Sequence, residues 1–149
     1  KGVTSKITYY SGKINMEEVE RNTLNKYWAN QKDYLNGSTS NVMCVVDTSG
    51  SMTGSNADAP INVAIALGMY CAERVGGPFK NHYISFSSRP QLIKIEGVDF
   101  VDKVRRIYRT NLCENTNIEA TFDMLLNIAK HPSTKAEDIP ETIVIISLL

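Results

Sequence analysis

Short runs of consecutive apolar residues alternate along this chain with polar stretches in which apolar positions recur at helical spacing. The first forty residues stand apart. Residues 1–15 mix Lys, Gly, Ser and Tyr without clear periodicity. From Met16 to about Leu35, the residues Met16, Val19, Leu24, Tyr27, Trp28 and Leu35 fall at helical spacing among charged neighbours, which predicts one amphipathic helix. Asn36-Gly37-Ser38-Thr39-Ser40-Asn41 then reads as a turn or short linker. Val42-Met43-Cys44-Val45-Val46 is a continuous apolar run between turn residues, the pattern of a strand buried on both faces of a parallel sheet.

A loop over 47–57, rich in Ser, Thr, Gly and Asn, leads to a helix that starts at Asp58 or Ala59, with Pro60 suited to its first turn. Its stretch from Ile61 to Val75 is apolar nearly all round, so deep packing is expected, and Gly76-Gly77-Pro78 stops it. Two short strands follow, around Tyr83–Phe86 and Gln91–Ile95, turned by Ser87-Ser88-Arg89-Pro90. A helix from Asp99 to Arg109 shows Phe100, Val101, Val104, Ile107 and Tyr108 on one face. Another, from about Asn117 to Lys130, is expected to bury Ile118, Phe122, Leu125, Leu126 and Ala129. A last apolar run covers 142–147. Strands alternating with helices predict an α/β fold with a doubly wound, mostly parallel sheet flanked by helices, mixed where the second and third strands form a hairpin. The expected organisation is an N-terminal helical extension and linker over 1–40, then an α/β domain over 41–149. The chain lacks an initial Met and stops at Leu149 directly after an apolar run, so that domain is expected to be incomplete at its C-terminal end.

Composition narrows the function classes. Of 149 residues, 42% are hydrophobic and 21% charged, a balance that supports a folded core rather than disorder. Sixteen basic and sixteen acidic residues cancel, so no global field draws the chain to nucleic acid or membrane. No signal peptide and no apolar run near the ~18 residues of a membrane helix stand out. Cys44, Cys71 and Cys113 form no C-x-x-C pair; their odd number leaves a free thiol, as in a reduced, cytoplasmic protein. Asn36-Gly37-Ser38 is a glycosylation sequon of a kind common by chance.

The chemistry concentrates after the first buried run, at Asp47-Thr48-Ser49-Gly50-Ser51-Met52. A carboxylate and two hydroxyls at alternate positions offer three oxygens in one short loop, the donor type that hard cations such as Mg²⁺ prefer. Ligands of open α/β sheets bind at the carboxyl ends of strands, and this loop lies at one. The same residues also suit a metal-free Asx or Ser/Thr turn. Other chemistries lack their residues. Ser49 stands where an aspartic protease needs Gly, neither Ser49 nor Ser51 lies in G-x-S-x-G, and there is no P-loop or G-x-G-x-x-G. His82 and His131 are far in sequence from any Cys pair, which argues against zinc.

Val45-Val46-Asp47-Thr48-Ser49-Gly50-Ser51-Met52, a D-x-S-x-S sequence after a hydrophobic strand and before an apolar helix, resembles the metal-ion-dependent adhesion site of von Willebrand factor A domains. The wording D-T-S-G-S-M is most similar to the intracellular branch that includes the Ro ribonucleoprotein. The resemblance covers residues 42–147; beyond the loop it rests on element order. It implies a von Willebrand factor A-like, Rossmann-like fold and a non-enzymatic module. There, Asp47, Ser49, Ser51 and Thr116, from Glu114-Asn115-Thr116-Asn117, hold Mg²⁺, with Mn²⁺ or Ca²⁺ as alternatives. The ion accepts an Asp or Glu carboxylate from a protein partner. By itself, Thr116 before a helix reads as an N-cap, and only together with the Asp47 loop does it read as a ligand. The family's second Asp is expected directly after the strand ending at Ser147, where this chain has Leu148-Leu149. Either the segment carrying that Asp is missing or the site lacks a carboxylate, and a site without it is predicted to bind metal weakly. The Ro likeness also implies an alternative, a component of an RNA-binding ribonucleoprotein. Lys103, Arg105, Arg106 and Arg109 supply positive charge for it, but the preferred reading of these residues is a solvated helix face balanced by Asp99 and Asp102. A Mg²⁺-dependent hydrolase lacks a general base near the motif.

Overall fold

The computed structural model describes residues 9–10, 13–14, 18–54, 59–86, 88–110 and 117–147. Strands β1 (Tyr9–Tyr10) and β2 (Lys13–Ile14) precede helix α1 (Glu18–Ala29), strand β3 (Val42–Asp47) and helix α2 (Pro60–Arg74). Strands β4 (His82–Phe86) and β5 (Gln91–Lys94) lead to helices α3 (Phe100–Ile107) and α4 (Ile118–Lys130), and strand β6 (Thr142–Ile146) comes last. Contacts divide the chain into two units, residues 1–32 with 96–110 and residues 33–95 with 111–149.

In the first unit β1 and β2 pair antiparallel, and α1 lies against α3. Trp28 stacks on Phe100 with ring centroids 4.5 Å apart. Asp99 caps α3 by accepting the Asp102 amide at 2.9 Å. Its other carboxylate oxygen accepts from Arg21 Nε and Asn25 Nδ2, each at 2.9 Å. The helix expected to reach Leu35 ends at Ala29. Asn30 bends its side-chain amide back to the Lys26 carbonyl, and the Asp33 carboxylate accepts the amides of Leu35 and Gly37. This local turn satisfies backbone groups that a helix would otherwise pair. The amphipathic reading also fails in part, because Val19 and Tyr27 are more than two-thirds exposed.

The second unit holds a four-stranded sheet of order β5-β4-β3-β6. β3 pairs in parallel with β4 (Val45 opposite Ile84) and with β6 (Val46 opposite Ile146), while β4 and β5 form the expected antiparallel hairpin. The fold is thus mixed α/β with a mostly parallel sheet. Side chains alternate across β3. Met43 and Val45, with Ile84, Phe86 and Phe79, form a core cluster against which Met124, Leu125 and Ile128 of α4 pack. The opposite face, with Val46, meets α2, where a Cβ at Gly68 would come within 2.4 Å of Val46 Cγ2. A helix therefore lies on each face, which explains the unbroken apolar run of β3.

Two expectations about helix faces need correction. α2 buries one stripe, Ile61, Ala64, Ile65, Gly68, Met69 and Ala72, and leaves Val63 and Leu67 about half exposed. A single sheet face meets only one side of a helix. α4 seats Thr121, Met124, Leu125 and Ile128, whereas Ile118, Phe122 and Leu126 are about half exposed. Its two apolar rows are adjacent, and contact with the Met43 cluster selects the one containing Leu125.

Candidate functional site

The site grows from the carboxyl end of β3. Asp47, the last residue of the strand, is buried, as are Thr48 and Ser49, while Gly50 and Ser51 are exposed. The chain leaves β3 with the Thr48 amide still tied to the Phe86 carbonyl at 3.4 Å. A single 3-10 turn over Gly50–Met52 follows, anchored by the buried Met52 and closed by Thr53 Oγ1 donating to the Gly50 carbonyl at 2.6 Å. This turn brings the hydroxyls of Ser49 and Ser51 to 3.0 Å from each other. α2 begins at Pro60, whose missing N–H costs nothing in a first turn.

Asp47 is held from two sides. The Ser49 amide donates to Oδ1 at 2.9 Å, an Asx-type contact. The Ser147 hydroxyl donates to Oδ2 at 2.5 Å. Ser147 does not stand out in the sequence, because a lone Ser after an apolar run has no local signature. Parallel register supplies the signal: with Val46 opposite Ile146, the residue after β6 lies level with Asp47 and shares its face. This strand end gives Asp47 a hydroxyl donor.

The Thr48 hydroxyl is fully buried and has no hydrogen-bond partner among the described residues. Thr116 lies outside the described residues. The residue after it, Asn117, caps α4 by accepting the Ala120 amide at 3.0 Å, so the capping role falls to Asn117. No group of three or more His, Cys, Asp and Glu side chains suited to a metal occurs among the described residues; the cluster has one carboxylate, bonded by the Ser49 amide and the Ser147 hydroxyl, and a Ser49–Ser51 hydroxyl pair in the same loop. His82 sits at the start of β4 with Nδ1 2.9 Å from the Lys80 carbonyl, and His131 Nδ1 is 2.7 Å from the Ser133 hydroxyl.

The basic residues 103–109 belong to the first unit. Arg106 is exposed and pairs with Asp102 at 3.2 Å, and Arg109 is exposed just beyond α3, whereas Lys103 and Arg105 are half-buried. No helix is long and apolar enough to cross a membrane among the described residues.

Residues 41–149 match a family described as a domain of unknown function (DUF7788). Over 109 residues the chain is 34% identical to the uncharacterized protein L728 of Acanthamoeba polyphaga mimivirus. That alignment covers 73% of this chain but only 18% of the relative, so the chain spans less than a fifth of that protein's length. No solved structure matches significantly.

Proposed function

The chain belongs to the DUF7788 domain family, and we propose for it a concrete role: a metal-dependent protein-binding module. Its Asp47–Ser51 loop holds a divalent ion that accepts a carboxylate from a partner. The order of the sheet, the helix on each face and the position of the loop at the carboxyl edge of a central strand support a von Willebrand factor A-like, Rossmann-like reading.

The observation that carries the proposal is the spacing of the loop oxygens. In an octahedral Mg²⁺ shell with bonds of about 2.1 Å, adjacent oxygens are separated by that length times the square root of two, about 3.0 Å. The Ser49 and Ser51 hydroxyls stand 3.0 Å apart. The same separation is an ordinary hydrogen bond when no ion is bound, so the loop needs little rearrangement between the two states. Asp47 brings the negative charge, and its oxygens keep lone pairs beyond those taken by the Ser49 amide and the Ser147 hydroxyl. The buried Thr48 hydroxyl, without a partner among the described residues, adds polar capacity beneath the loop. Thr116 would join from the loop before α4.

When bound, the ion would supply an open, electrophilic position for an outside carboxylate. One protein carboxylate neutralises only half of its charge, while the hydroxyls orient it without neutralising it further. Isothermal titration with Mg²⁺ and Mn²⁺ alone tests the site. Heat of binding is expected for the native chain and none for Asp47→Ala or Ser49→Ala, each with unchanged circular dichroism. Acetate is expected to bind only when the metal is present. Equal metal binding by the Asp47→Ala variant, or acetate binding in chelator, would overturn the proposal.

A further inference from the structure

The face of β3 that meets α2 carries a second set of reactive groups, independent of the metal loop. Gly68 lets α2 approach the strand so closely that a Cβ there would meet Val46 Cγ2. Cys71 follows Gly68 by one helical turn, on the same face of α2. Cys44 precedes Val46 by two residues, on the same face of β3. The close approach therefore brings the two sulfurs together, and the Cys44 thiol donates a hydrogen bond to the Cys71 sulfur. Both are free thiols, Cys44 buried and Cys71 partly exposed.

We infer that Cys44 and Cys71 form an oxidisable dithiol, in which a hydroperoxide converts Cys71 to a sulfenic acid and Cys44 then closes a disulfide between β3 and α2. In the first step the Cys71 thiolate attacks the terminal peroxide oxygen. The O–O bond breaks, sulfur loses two electrons to the peroxide, and the departing oxygen leaves as water or an alcohol after taking a proton. In the second step the Cys44 sulfur attacks the sulfenic sulfur. The S–O bond breaks, and the released hydroxide takes the Cys44 proton as water. The sum is two thiols and one hydroperoxide giving one disulfide, one water and one water or alcohol.

The assignment of roles follows from the surroundings. The hydrogen bond from Cys44, and behind it the positive charge of Arg74, outweigh the opposing effect of burial and bring the Cys71 thiol down to about 7. A large share of it is then the nucleophilic thiolate near neutral pH. The same hydrogen bond, together with burial, pushes Cys44 far up, so it holds its proton until Cys71 has reacted. Partial exposure admits a small peroxide to Cys71, and burial hides Cys44 from it. Cys44 is the resolving partner.

Hydrogen peroxide added to the full native chain tests this. Two of its three thiols should disappear with a loss of two hydrogens in mass, and a Cys44–Cys71 cross-linked peptide should be recovered. Cys71 should oxidise at least tenfold faster in the native chain than in urea. The Cys113→Ser variant should give the same cross-link. Cys44→Ala should stop at a dimedone-trappable sulfenic acid on Cys71. Because that variant removes a buried side chain, the native mapping decides the question whether or not it folds. A disulfide to Cys113, or Cys71 oxidising no faster in the native chain than in urea, would overturn the inference.

Discussion

The contact of Gly68 with Val46 offers a quantitative test of how α2 is set on the sheet. Replacing Gly68 by Ala should be favourable for the helix alone, by about 1 kcal/mol. The added methyl would stand 2.4 Å from Val46 Cγ2, where carbons ordinarily rest about 3.5–4.0 Å apart. An overlap of roughly 1.1–1.6 Å must be absorbed. Val46 cannot swing away: it is fully buried, branched at Cβ and fixed between β4 and β6. Overpacking of this kind costs about 1–3 kcal/mol. Gly68→Ala should therefore destabilise by up to about 2 kcal/mol net, from those two opposing contributions. Val46→Ala alone should cost about 2 kcal/mol in lost transfer energy and cavity.

In the double variant the methyl introduced on α2 occupies space vacated by the Val46 side chain. The clash disappears and the helix gain returns, so the pair should be more stable than the sum of the single effects by at least about 1 kcal/mol. Urea unfolding of all four proteins, with m-values checked for constancy, measures this coupling. Effects that add within about 0.5 kcal/mol would refute the close approach. They would also remove the geometric footing of the Cys44–Cys71 pair, because both contacts use the same faces of β3 and α2.

Three further outcomes follow from the site and from the first unit. Ser147→Asp should tighten Mg²⁺ binding on the order of tenfold, since affinity rises with ligand charge, while lowering metal-free stability through repulsion with Asp47; unchanged calorimetric affinity would contradict the metal reading. Thr48→Val should stabilise the metal-free chain by about 1 kcal/mol by removing a buried hydroxyl that has no partner among the described residues. A loss of stability in thermal melts would mean that the hydroxyl is satisfied. At Asp99, burial raises the carboxyl, but the Asp102 amide, Arg21 and Asn25 outweigh it and hold the group below its ordinary value. A depressed folded value gives stability that is full above the unfolded value, about 3.9, and is lost as pH falls through the folded one. The single Trp of the chain, Trp28, stacks on Phe100 next to Asp99, so its fluorescence should report an acid transition below about pH 4 that Asp99→Asn abolishes.

How much of this was legible in the sequence depends on how many solutions each pattern allows. The run Val42–Val46 allows one, a strand covered on both faces, and the hairpin turn between β4 and β5 allows one connection. Both appear in the fold. α4 allows two, because Ile118, Phe122 and Leu126 form as good a stripe as Met124, Leu125 and Ile128; only the position of the Met43 cluster chooses. The end of α1 was hidden because a single carboxylate, Asp33, captures the amides that follow. In the site, Asp47, Ser49 and Ser51 could be read from the alternation of oxygen-bearing residues. Ser147 required knowing that β6 lies beside β3 in register, a long-range pairing that local spacing does not encode.

The first unit is built from two stretches separated by more than sixty residues of sequence, whereas the family match starts at residue 41. A chain trimmed to that starting point would keep α3 and discard the helix it pairs with. Phe100 would lose the indole it stacks on, Asp99 would lose Arg21 and Asn25, and the Val101 amide would lose its acceptor on Asn25. The freshly bared ring and orphaned carboxylate would make such a cut prone to clumping, for reasons unrelated to the sheet. Anyone transplanting this module should therefore carry residues 18–32 with it, or excise 96–110 at the same time.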